Sequence, residues 1–148
     1  MKPRRFETAS EDETIELGKR LAADLPGRAA VLLIGNLGAG KTTLAKGIVA
    51  GLGAAAIEEV SSPTFTLIHE YGVEGRVYHV DLYRLETAAE VATLGLDEIF
   101  DREAVVLVEW GERFPELMPR ARLEVRLRTL DDDRREIIIE NIGGGETQ

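Results

Sequence analysis

The sequence predicts an α/β fold of three layers, with a mixed, mostly parallel central sheet and hairpins at its edges. Three observations carry this reading. Ala29–Ile34 is an uninterrupted apolar run that breaks into glycines, the pattern of a strand buried on both faces. Val105–Val108 is a second run of the same kind. Helical stretches alternate with the strands, as parallel pairing requires, because a parallel strand returns only through a crossover.

The elements follow in order. Phe6–Thr8 reads as a short strand. Ser10-Glu11-Asp12-Glu13 is an S-x-x-E capping signature with acids in the first turn, so a helix begins there. Ile15, Leu17, Leu21, Ala22 and Leu25 give it an apolar face, and Pro26-Gly27 ends it. After Ala29–Ile34, Thr42–Leu52 reads as a helix closed by Gly51 and Gly53. Phe65–Tyr71, a turn at Gly72–Gly75 and Arg76–Leu82 read as a hairpin. Glu86–Leu94 and Asp97–Phe100 are short helices, and Glu112–Leu117 is a further helical stretch past Val105–Val108. Leu123–Leu130 and Glu136–Ile142 are strands joined by the acidic turn Asp131–Asp133. Residues 1–142 are expected to form one domain, with a frayed tail at Gly143–Gln148.

Composition bounds the function. The chain has 148 residues, 44% hydrophobic and 30% charged, ordinary values for a globular domain. Its apolar runs are far below the ~20 residues of a membrane span. MKPRRFETASEDE has no apolar stretch behind its charges, so it is not read as a secretory signal. A cytoplasmic location is the expectation. There are no cysteines, which excludes disulfides and thiolate metal sites. The formal net charge is -9, without the basic footprint of a protein that grips nucleic acid directly. No contact with DNA or a membrane is expected, and any nucleic acid would be held by another subunit. Arg supplies most of the basic residues and Asn and Gln are scarce. That suits a thermophile, though a GC-rich genome explains the Arg equally well.

The sharpest motif is Gly35-Asn36-Leu37-Gly38-Ala39-Gly40-Lys41-Thr42, which fits G-x-x-x-x-G-K-[ST] at every fixed position. Glycines permit backbone turns that aim successive N–H groups at one point. The helix that follows adds its dipole and unpaired N–H groups. Lys41 sets a positive charge against the β- and γ-phosphates, Thr42 offers a hydroxyl to Mg²⁺, and Thr43 is a second hydroxyl near the α-phosphate. The motif therefore indicates a P-loop NTPase-like domain that binds a nucleoside triphosphate with Mg²⁺. The competing reading is a Gly-rich strand-to-helix turn with no ligand.

Such a loop needs an acid at the end of a neighbouring strand to hold Mg²⁺ or orient water. Glu109 after Val105–Val108 and Asp81 after Val77–Val80 both qualify. Either is also readable as an ordinary strand-end or capping carboxylate. Thr64, with Ser62 second, is the candidate for sensing a γ-phosphate through Mg²⁺, and an ordinary Ser/Pro turn explains Ser61–Thr64 equally. Trp110 reads either as a neighbour of the nucleotide or a partner, or as a core aromatic. Arg84 reads as a γ-phosphate contact or as half of an ion pair. His69 and His79 are read as structural.

Taken together, Gly35–Thr43, Ser62-Pro63-Thr64-Phe65-Thr66-Leu67, Tyr78-His79-Val80-Asp81-Leu82-Tyr83-Arg84-Leu85 and Leu107-Val108-Glu109-Trp110 resemble the TsaE (YjeE) family in order and spacing over nearly the whole chain. The resemblance implies an ATPase needed for threonylcarbamoyladenosine formation on tRNA. It implies action on a TsaB–TsaD complex, with tRNA met only through that complex. Carried over by motif position, Gly35, Leu37, Gly38, Ala39, Gly40, Lys41, Thr42 and Thr43 surround the phosphates. Thr42 and Glu109 ligate Mg²⁺, and Lys41 and Asp81 serve catalysis, Asp81 also facing the nucleotide. The resemblance places adenine between the region of Glu11 and Thr14 and the turn at Asp133 and Arg134. The chain departs from the family at Asn36, where Asp is frequent, and at Gly111, where Pro is common.

Two other readings compete. A small metabolite or nucleotide kinase shares the loop but needs an acceptor pocket and an Arg-bearing lid, of which the sequence gives no clear sign. A nucleotide-binding switch would bind Mg-ATP tightly without turnover. No N/T-K-x-D guanine signature occurs, which favours ATP over GTP.

Overall fold

Two apolar rows alternate along the central strand and so set up two cores. In the computed structural model, which describes residues 2–63, 67–73 and 76–143, strand β2 (Ala29–Ile34) sends Val31 and Leu33 into one core and Leu32 and Ile34 towards the other. Parallel strands flank it on both sides: β5 (Val105–Glu109) and β6 (Arg122–Thr129). Strand β4 (Val77–Asp81) adds parallel to β5, and β3 (Ile68–Tyr71) closes that margin antiparallel to β4. On the other margin β7 (Arg135–Ile142) pairs antiparallel with β6, and β1 (Arg4–Thr8) antiparallel with β7. The order is β1-β7-β6-β2-β5-β4-β3. The mixed sheet and edge hairpins agree with the sequence reading, the parallel pairing being confined to the four central strands.

Helices α1 (Glu11–Ala23) and α2 (Lys41–Gly51) bury their apolar faces against the first core. The short helices α3 (Ala88–Ala92) and α4 (Leu96–Phe100) cover the second. The helical stretch expected at Glu112–Leu117 is instead two 3-10 turns, Gly111–Arg113 and Pro115–Leu117. Pro115 explains the break: it disfavours helical geometry at the residue before it, and Phe114 stands at φ -133° and ψ 58°. Residues 64–66, 74–75 and 144–148 lie outside the described residues. With them lie Thr64, part of the expected turn at Gly72–Gly75, and all of the expected tail but Gly143. Among the described residues no helix is long and apolar enough to cross a membrane.

Capping fixes where α1 starts. Ser10 Oγ accepts the Glu13 N–H at 3.1 Å, and the Glu13 carboxylate reaches back to the Ala9 N–H at 2.6 Å. The expected box thus closes one residue earlier than the Ser10 amide. Glycines then let α1 lie directly on α2. A Cβ on Gly47 would stand 2.1 Å from the Ile15 carbonyl oxygen, and one on Gly51 would stand 2.9 Å from Ala22 Cβ. These contacts advance together along both helices, so the helices run in the same sense and present their N-termini to one edge of the sheet.

That crossing is testable. Gly47→Ala gains up to about 1 kcal/mol of helix propensity but forces the backbones apart, at an overpacking cost of about 1–3 kcal/mol or more. A net loss of about 2 kcal/mol is expected in urea unfolding. A midpoint equal to or above that of the unmodified chain would show that the crossing tolerates a side chain.

Candidate functional site

The strand-to-helix turn after β2 organises the site. Gly38 and Gly40 adopt φ of +80° and +102°, a left-handed conformation that glycine enters without strain. Lys41 opens α2 and is 5% exposed. Its ammonium donates to the Gly35 carbonyl at 2.7 Å and lies 3.7 Å from the centroid of the Trp110 ring. Burial pulls its pKa below the usual lysine value, opposed by the charges of Glu109, Glu112 and Asp81.

The acids come from strand parity. In β4, Val77, His79 and Asp81 share the face towards α2; in β5, Val105, Leu107 and Glu109 do. The register then sets Asp81 beside Glu109, and Glu109 beside Leu33 on β2. Glu109 Oε2 accepts from Thr42 Oγ1 at 3.4 Å and is 2.6 Å from His79 Nε2. Asp81 Oδ1 accepts the Tyr83 N–H at 2.9 Å, and Ser62 Oγ donates to Oδ2 at 3.5 Å. Both carboxylates are buried.

These groups open onto a cleft of about 460 Å³. Of the residues singled out from sequence, Leu37, Gly38, Gly40, Lys41, Thr42 and Thr43 line its floor, with Asp81, Glu109 and Trp110 beside them. Glu11, Thr14 and Asp133 line it as well. Gly35 and Ala39 lie beneath the loop, where a Cβ on Gly35 would stand 2.6 Å from the Leu127 carbonyl oxygen. Arg134 turns away to Asp131, at 3.0 Å. Arg84 is exposed on the turn after β4, and His69 pairs with the Tyr71 hydroxyl. Trp110 fits the core reading, packing on the second core, and its ring also faces Lys41 and the Tyr83 ring, 5.2 Å away.

Three residues of the site, Arg135, His79 and Tyr83, carry no site role in the sequence reading, although the last two lie inside the third motif block. Arg135 lines the cleft, with Nη1 bound to the carbonyls of Asp131, Asp132 and Arg134 and Nη2 3.4 Å from the Gly38 carbonyl. Parity could have found it, since Arg135 extends the row Ile137, Ile139 that faces the first core. The same count places His79 on the face of Asp81. Tyr83 carried no such signal.

Comparison with known proteins now bears on the cleft. Residues 8–137 match the family model described as threonylcarbamoyl adenosine biosynthesis protein TsaE. The chain belongs to the TsaE family. The tRNA threonylcarbamoyladenosine biosynthesis protein TsaE of Bacillus subtilis is 42% identical over 145 residues, spanning 97% of this chain and 89% of the relative. TsaE of Treponema pallidum is 37% identical over 130 residues, 88% of this chain and 95% of that protein. The crystal structure of Bacillus subtilis YdiB superposes with a TM-score of 0.77 at 35% identity, covering 98% of this chain and 88% of that one. The α/β fold with its mixed sheet is thus a TsaE fold, and the family's role is in threonylcarbamoyladenosine biosynthesis.

One group near Lys41 gives a pH test. Glu112 Oε1 is buried with no hydrogen-bond partner among the described residues. Burial raises the Glu112 pKa above the usual carboxylate value, against its own backbone N–H and the charges of Lys41, Arg113 and Arg126. A raised folded pKa means the folded chain holds the proton more tightly than the unfolded one. The associated stability is complete below the unfolded pKa and is lost as pH rises through the folded value. Glu112→Gln, which fixes an uncharged side chain, should therefore raise the thermal midpoint at pH 7 and lose that advantage near about pH 4. A difference in midpoint that stays constant between those pH values would show that ionisation of Glu112 carries no penalty.

Proposed function

We propose that the chain is a Mg-ATP-binding ATPase that supports tRNA threonylcarbamoyladenosine modification by acting on a TsaB–TsaD complex in the cytoplasm. The observation that carries this reading is one cleft edge. There a glycine loop, the helix-opening pair Lys41 and Thr42, and the strand-end acids Asp81 and Glu109 converge.

The donor set fits Mg²⁺. Thr42 Oγ1 and Glu109 Oε2 are hard oxygens 3.4 Å apart. The edge of an Mg²⁺ octahedron with bonds of about 2.1 Å is about 3 Å. Among the described residues no three His, Cys, Asp or Glu side chains form a metal cage. Mg²⁺ held by one or two protein oxygens, phosphates and waters needs none. Held by Thr42 and Glu109, the ion would neutralise phosphate charge.

The remaining work falls to the chain. Backbone N–H groups of Gly38–Lys41 and the start of α2 hold the phosphates. Lys41 exchanges its Gly35 carbonyl for phosphate oxygens, with the Trp110 face screening it from water. Asp81, anchored by the Tyr83 N–H, orients the attacking water and accepts its proton. Glu11, Thr14 and Asp133, which also line the cleft, would receive the nucleoside. Transition-state charge on the transferring phosphoryl calls for an arginine, which another subunit can supply at ~10³–10⁵ in rate.

Phosphate release from Mg-ATP, measured alone and with a purified TsaB–TsaD pair, tests this. Slow release alone and clear acceleration by the pair are expected. Absence of release under both conditions would overturn the ATPase assignment.

Two substitutions separate the roles. Lys41→Ala should abolish nucleotide binding, because a desolvated charge-assisted contact is lost. Asp81→Asn should leave binding near normal and lower kcat by about 10²-fold or more, since a water-orienting base acts in the transition state. Weakened binding with kcat intact in Asp81→Asn would make Asp81 a binding residue.

A further inference from the structure

The middle of β4 contains a group the proposed chemistry has not used. His79 is fully buried between Tyr78 and Val80 in a strand with no exposed residue. Burying an imidazole is unfavourable unless it is hydrogen-bonded. Its Nε2 lies 2.6 Å from Glu109 Oε2, while Nδ1 has no hydrogen-bond partner among the described residues.

This pattern fixes the tautomer. A hydrogen on Nδ1 would be an orphaned buried donor, which folded chains avoid more strictly than an unused lone pair. The hydrogen therefore belongs on Nε2, and the ring donates to a carboxylate that only accepts. Thr42 Oγ1 donates to the same oxygen from the start of α2. Glu109 Oε2 is thus held between a donor on its own sheet and one on the helix above. A glutamate has three side-chain torsions, and these two contacts stop them from wandering.

We propose that His79 is a positioning residue for Mg²⁺: by donating from Nε2 it locks the Glu109 carboxylate in the orientation that, with Thr42, receives the ion. The inference rests on the Mg-ATP reading above. Hydrogen-bond partners of metal-ligating carboxylates set ligand orientation, and their loss costs metal affinity. A merely structural histidine would fill the same space, so a side chain that keeps volume and loses the donor distinguishes the two.

The experiment is binding of a fluorescent ATP analogue titrated with Mg²⁺, in the unmodified chain, His79→Leu and His79→Gln. His79→Leu should raise the half-saturating Mg²⁺ about 10–100-fold. His79→Gln, whose amide nitrogen reaches the Nε2 position, should restore it to within about threefold. Analogue affinity in chelator should be the same for all three. Equal half-saturating Mg²⁺ in His79→Leu and the unmodified chain, with Mg²⁺ still promoting binding, overturns the role of His79 and leaves the Mg-ATP reading intact. If Mg²⁺ does not promote binding to the unmodified chain, that reading falls and takes this inference with it. Nitrogen-15 NMR of the unmodified chain gives an independent readout that survives misfolding of either variant. A hydrogen on Nε2 is expected, and one on Nδ1 overturns the proposal.

Discussion

The parallel register of β2, β5 and β4 is the constraint on which the site depends. It sets Leu33 beside Glu109 and Glu109 beside Asp81, so three strands end at one edge. In open α/β sheets that edge, outside the strand carboxyl ends, is where a crevice forms. The two-sided apolar character of these strands holds the register. A slip of one residue in β4 would turn His79 and Asp81 into the second core and bring Tyr78 and Val80 to face α2. The buried polar row is tolerated in one alignment, where Glu109, Thr42 and the backbone after β4 receive it.

Backbone strain gathers at the same edge. Leu67 and Trp110 are the non-glycine residues with positive φ among the described residues, at 70° and 68°. Each adjoins an acid. The Leu67 carbonyl accepts the Asp81 N–H at 2.9 Å, and Trp110 directly follows Glu109. The turn at Trp110 swings its indole under the Lys41 ammonium while the next residues descend into a 3-10 turn. Residues of this size adopt φ near +70° when the surroundings over-determine them, and such residues cluster at ligand sites. Arg113 adds a tie between the loops after β5 and β4, donating to the Tyr83 and Leu85 carbonyls at 3.0 and 2.7 Å. Asp81, Tyr83, Glu109 and Trp110 are therefore positioned together.

Much of this was legible from local pattern. The apolar runs at Ala29–Ile34 and Val105–Val108 identified the central strands because strands buried on both faces carry no polar alternation. The glycine spacing and the acids at strand ends drew attention to the loop and to Asp81 and Glu109, because the chemistry demands those residue types there. Other features depend on contacts far apart in sequence. Nothing local tells that Arg135 returns to Gly38, or that His79 points at a glutamate thirty residues on. At Glu112–Leu117 the local signal against one continuous helix is Pro115, and the chain breaks there into two 3-10 turns.

The charge of the cleft bears on what it can hold. Five carboxylates line it, Glu11, Asp81, Glu109, Asp132 and Asp133, against Lys41 and Arg135. A polyanion entering such a cleft meets repulsion unless the acids are segregated, and they are. Asp132 and Asp133 belong to the turn between β6 and β7, on one side of β2 in the sheet order, and Glu11 to the start of α1, where on the proposed reading an uncharged nucleoside would lie. Asp81 and Glu109 end β4 and β5 on the other side of β2, with Glu109 beside Thr42, where on the proposed reading a divalent cation would offset them. Between the two groups lie the loop after β2 and Lys41, and Arg135 reaches the Gly38 carbonyl from β7; these are donors a phosphate chain requires. On the proposed reading, such a cleft would discriminate between free ATP and its Mg²⁺ complex, because the ion alone would cancel the paired strand-end carboxylates.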